Sequence, residues 1–117
     1  FYFLMIKGIL NIILLFLLFI FNRPVYSIEF SQKAIENYNL KISRKFSKTY
    51  CNSTKFGISN DSSLKFAIGE TNKEFLNNKL NQFIDYELLN KNILSSLANN
   101  CNVFDFPESE LENLDFK

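Results

Sequence analysis

The sequence predicts an all-α fold: a small bundle of three to four helices preceded by a hydrophobic signal or anchor helix. Three observations carry that expectation. Met5 to Phe21 is an apolar run with few interruptions. Beyond it, apolar residues recur at spacings of three and four, the period that gathers them on one side of a helix. Side chains able to cap a helix stand ahead of those stripes.

The leading segment has the layout of a secretory signal. Met5-Ile6-Lys7 is a short basic n-region, and Ile9 to Phe21 is an apolar core interrupted by Asn11. Pro24 ends any helix, because its ring lacks a donor and clashes with the preceding turn. Val25 and Ser27 put small residues at −3 and −1, so the expected cleavage falls between Ser27 and Ile28. Phe1 to Leu4 read as an extension upstream of a start at Met5. The alternative is a retained anchor touching the membrane through residues 5–21. A span needs roughly 20 apolar residues, and Ile9–Phe21 is thirteen residues long. Including Phe1–Leu4 lengthens the run but places Lys7 and Asn11 within it, which is unfavourable in hydrocarbon. Arg23 directly after the run favours retention. Cleavage ranks first and the anchor second.

Three parts follow: residues 1–27 as signal peptide or anchor, 28–103 as a helical domain, and 104–117 as an acidic C-terminal tail. The 90 residues from Ile28 suffice for one small domain. Ile28–Lys65 carries seven basic residues against three acids, +4, and Phe66–Lys117 four against nine, −5. The split offers two faces to different partners or lets the halves attract; solvated helix exteriors rank ahead of both. Abundant Asn, Lys, Ile and Phe match an AT-rich genome.

Ser31 is the expected N-cap of a helix reaching about Cys51, with Phe30 and Ile35 as a hydrophobic staple. Ile35, Tyr38, Ile42, Phe46 and Tyr50 form its apolar stripe, and its wet side is rich in lysine. That basic side suits anionic lipid or an acidic partner, although a plain solvated exterior ranks first. Asn52 to Asp61 reads as a loop, anchored by Phe56 and Ile58. Asn52-Ser53-Thr54 and Asn60-Asp61-Ser62 match a glycosylation acceptor, a pattern that arises by chance in Asn-rich chains. A helix opening near Asn60–Ser63 turns Leu64, Ala67 and Ile68 inward. Gly69 and the capping-box pattern Thr71-Asn72-Lys73-Glu74 then favour a break and a restart. The stripe Phe75, Leu76, Leu80, Phe83 and Ile84 extends the second part. Asp85 caps a last helix carrying Leu88 or Leu89, Ile93, Leu94, Leu97 and Cys101. Pro107 stops that helix or opens a new turn, and Phe104 and Phe106 alternate with polar residues.

Catalytic parts are scarce. Without histidine there is no imidazole base and no Ser-His or Cys-His pair. The three glycines form no phosphate loop. The acidic tail has no calcium-loop spacing and reads as solvated. A non-enzyme without cofactor or metal is therefore expected. Cys51 and Cys101 remain as the informative pair. In an exported protein two cysteines usually bond, so a structural disulfide ranks first, free thiols second and a redox pair last.

The stretch Phe46-Ser-Lys-Thr-Tyr-Cys51, Lys55-Phe-Gly-Ile-Ser59 and Lys65-Phe-Ala-Ile-Gly-Glu-Thr71 resembles small, uncharacterised signal-bearing proteins of marine picocyanobacteria. It runs from Phe46 to Thr71, 26 of the 90 residues after residue 27. The resemblance implies a periplasm or thylakoid lumen, or the membrane facing one, and brings no activity. The expected function is an exported helical accessory protein acting on a protein complex or membrane surface, with no nucleic acid. A single-pass membrane subunit with an extracytoplasmic helical domain is the alternative, and a carboxylate-based enzyme comes third.

Overall fold

A computed structural model describes residues 2–21 and 31–117. Within them the chain is all-α and has no strand: α1 (Tyr2–Phe21), α2 (Gln32–Lys55), α3 (Asn60–Glu74) and α4 (Tyr86–Cys101). Short 3-10 helices cover Lys79–Phe83 and Glu108–Asn113. Ser27, Ile28 and Phe30, the expected cleavage site and staple residue, lie outside the described residues. None of the 20 residues of α1 is buried.

Ser31 caps α2 as expected, its hydroxyl accepting from the Ala34 N–H at 3.2 Å. The helix runs past Cys51 to Lys55, further than composition suggests. Its Ser53 and Thr54 hydroxyls donate back to the carbonyls of Thr49 and Cys51 at 2.8 and 3.0 Å. These residues thereby satisfy themselves inside the helix instead of opening a loop. The connection shrinks to residues 56–59, where Gly57 takes a φ of +89° that a side chain would resist. Phe56 and Ile58 do not anchor it; they are 86% and 45% exposed.

Ser59 caps α3, accepting from the Ser62 N–H at 3.2 Å. The expected break at Gly69 does not occur. Leu64, Ala67, Thr71 and Phe75 form one buried row, and α3 packs against α2 along it. That packing outweighs the roughly 1 kcal/mol a glycine costs in a helix. Thr71 consequently sits fully buried instead of capping. The expected α-helical stripe from Phe75 to Ile84 is also corrected. Asn77 turns left-handed at φ +59°, and Asn78 caps a 3-10 turn through the Leu80 N–H at 2.9 Å. Phe75 is buried and Leu80 and Ile84 pack against the core, whereas Leu76 and Phe83 are exposed.

Asp85 caps α4 as expected, accepting from the Glu87 and Leu88 N–H groups. Leu89, Ile93 and Leu97 are fully buried against α2, each contributing roughly 1.5–3 kcal/mol by leaving water. Asn102, left-handed at φ +56°, ends the helix. The pairs Asn39–Asn92, Ser47–Ser96 and Cys51–Cys101 advance together, so α2 and α4 run parallel. α3 runs against them, with Glu74 meeting Lys45 and Phe75 meeting Tyr38.

Residues 104–117 travel back down this assembly. Phe106 packs edge-on against Phe46 and Tyr50 at 6.0 and 5.4 Å, and Phe116 meets Phe75 at 6.2 Å near the other end. Phe106, Leu111, Leu114 and Phe116 belong to the core, while Glu108, Glu112 and Asp115 face solvent and Phe104 is exposed. Pro107 opens the turn at Glu108–Asn113.

Candidate functional site

The up-down-up course of α2, α3 and α4 carries the ends of α2 and α4 to one place. Cys51 and Cys101 have Cα atoms 5.7 Å apart and sulfurs at bonding distance, geometry compatible with a disulfide. Cys51 is buried and Cys101 partly so.

Beside them a polar seam separates α2 from α4. The Ser47 and Ser96 hydroxyls stand 2.6 Å apart, and the Asn100 amide donates to them at 3.0 and 3.3 Å. Further along, the Asn92 amide donates to the Asn39 side-chain oxygen at 3.4 Å, and Ser43 donates to the Asn39 carbonyl at 2.9 Å. Small hydroxyl and amide side chains every four residues on both helices let the backbones approach, and they satisfy one another. Above this seam lies a cleft of about 230 Å³, lined in part by Leu40, Ser43, Arg44, Asn92 and Ser96, with no carboxylate in its lining.

Next to the cleft runs the basic side of α2. Lys33, Lys41, Arg44, Lys48 and Lys55 are all exposed, and none forms an ion pair among the described residues. At about 100° per residue they share an arc of roughly 80°. Glu36, the helix's lone acid, falls outside that arc, as does Lys45, which pairs with Glu74 at 3.2 Å.

Two asparagines dock the C-terminal segment, a role no sequence pattern announced. Asn81 accepts from the Tyr38 hydroxyl and donates to the carbonyls of Phe75 and Phe116 at 2.9 and 3.0 Å. Asn72 donates to the Asn113 carbonyl at 3.2 Å and accepts from the Asp115 N–H at 2.9 Å. Both amides stand in for a neighbouring backbone. Burial, then the neighbouring Tyr86, pushes the Tyr38 hydroxyl up to about 12. Burial also raises Tyr50, and burial with Asp115 raises Tyr86; such hydroxyls serve as neutral hydrogen-bonding groups at ordinary pH. Among the described residues no cluster of three His, Cys, Asp or Glu is placed to hold a metal.

Comparison with family models, curated proteins and solved structures finds no match.

Proposed function

We propose that this chain is an exported, non-enzymatic accessory protein: a small helical bundle, closed by a Cys51–Cys101 disulfide, that works by surface contact. What carries the reading is an apolar helix that buries none of its residues, placed ahead of a folded unit whose cysteines lie at bonding distance. A membrane route explains such a helix, and an oxidising compartment explains such a bond. The compartment is a periplasm or thylakoid lumen, as the picocyanobacterial resemblance implies. A retained single-pass anchor is the second reading, favoured by the 20-residue length of α1, about enough to cross the hydrocarbon.

Fractionation of the native host with carbonate extraction, followed by mass analysis of the chain, tests both. A soluble chain beginning at Ile28 supports export with cleavage, and a carbonate-resistant chain retaining residues 5–21 supports the anchor. A cytoplasmic chain with two free thiols refutes both.

A further inference from the structure

We infer that the basic side of α2, with the polar cleft beside Arg44, is a docking surface for the anionic phospholipid headgroups of the membrane that α1 addresses. The inference rests on the export reading above and adds the partner. The charge is organised in a way that folding does not require. Of the six basic residues of α2, one is used internally, Lys45 with Glu74. The other five extend over 22 residues of helix, roughly 33 Å, on the side turned away from α3 and α4. They have no acid partner among the described residues, although the chain holds 12 acids. Five cations aligned on one side without counter-charges match a plane of phosphates better than any point ligand.

Two neighbouring features fit the same occupant. The cleft offers the exposed Arg44 guanidinium, with no carboxylate in its lining to repel a phosphate. Leu40, 39% exposed at its rim, can enter the headgroup boundary as amphipathic helices do. Only residues 22–31 separate α2 from α1, so the surface that α1 enters stays within reach of α2. Each basic residue near an anionic leaflet strengthens binding roughly fivefold, so five along one side can hold the domain flat even where α1 has been removed.

The test uses the full, oxidised chain in phosphatidylcholine vesicles with or without phosphatidylglycerol. Exposed amines are acetylated and each lysine's rate is read by mass spectrometry. Lys33, Lys41, Lys48 and Lys55 are expected to label several-fold more slowly in the anionic vesicles, while Lys73, Lys79 and Lys91 label alike in both. Salt must reverse the protection, since the screening length falls from about 10 Å at ~0.1 M to about 3 Å at ~1 M. The triple variant Lys41→Gln, Arg44→Gln and Lys48→Gln changes exposed side chains only and should release Lys33 and Lys55. Equal labelling in the two vesicle types, protection spread over all lysines, protection indifferent to salt, or protection surviving the triple variant overturns the inference. So does protection of the same lysines by inorganic phosphate without vesicles. None of these results bears on cleavage or export, which fractionation decides separately.

Discussion

Removing the link between Cys51 and Cys101 should cost most of the stability a domain of this size can hold. The two residues are 50 apart in sequence. Closing a loop of that length lowers the entropy of the unfolded chain by an amount worth about 4 kcal/mol at 25 °C. Native stabilities are roughly 5–15 kcal/mol, towards the lower end for small domains. The loss falls on the unfolded side, because Ile42 and Phe46 still meet Leu89, Ile93 and Leu97, all fully buried. The reduced protein should therefore keep its fold and melt earlier. Each kcal/mol moves the midpoint of such a domain by roughly 4–8 °C, so the shift should be roughly 15–30 °C. The near-UV tyrosine signal is the suitable probe, because Tyr38, Tyr50 and Tyr86 lie in the domain and only Tyr2 and Tyr26 precede it. The full chain in mild detergent would be melted oxidised, reduced, and as the Cys51→Ala, Cys101→Ala double variant. The reduced protein and the double variant should melt together, well below the oxidised one. Oxidised and reduced midpoints within a few degrees of each other would refute this reasoning.

Four further substitutions probe what the packing decided. Asn81→Ala withdraws the acceptor for Tyr38 and the donors to Phe75 and Phe116; a loss of about 2–3 kcal/mol is expected, with faster hydrogen exchange at residues 114–117. Gly69→Ala should stabilise by about 0.5–1 kcal/mol, since an added Cβ meets nothing within 4 Å; an unchanged or lowered melting midpoint would contradict a continuous α3. Thr71→Val removes a fully buried hydroxyl that has no hydrogen-bond partner, so chemical denaturation should show a gain of about 1 kcal/mol. Tyr38 titrates near 10 when unfolded and at about 12 when folded. The unfolded chain thus loses a proton that the folded one keeps, and stability falls as pH rises through that window, by at most about 1.4 kcal/mol per unit. Tyr38→Phe should flatten that slope in urea titrations, leaving the shares of Tyr50 and Tyr86.

Much of the fold was legible residue by residue. The caps at Ser31 and Asp85 and the stripe Tyr38, Ile42, Phe46 and Tyr50 are local signals, complete within one or two helical turns. The readings that failed were also local and lost to longer-range packing. Gly69 and the Thr71 capping pattern describe a break that the buried row from Leu64 to Phe75 overrides. Asn52 to Lys55 have loop composition, yet Ser53 and Thr54 bond within the helix. The candidate surface was half legible: the lysines of α2 mark a basic side, but their lack of partners depends on where α3 and α4 place their acids.

By itself the sequence determined an all-α chain, an apolar leading helix, the position of two caps, and a basic second helix. Each follows from hydrogen bonds and spacings a few residues long. The tertiary structure alone decided that α3 is one helix and that the chain reverses twice between Cys51 and Cys101. It also decided that Asn72 and Asn81 hold the final segment with its apolar side inward. Those outcomes rest on contacts between residues 29 to 53 positions apart. Such contacts compare whole packed arrangements, and no short window of sequence contains both partners.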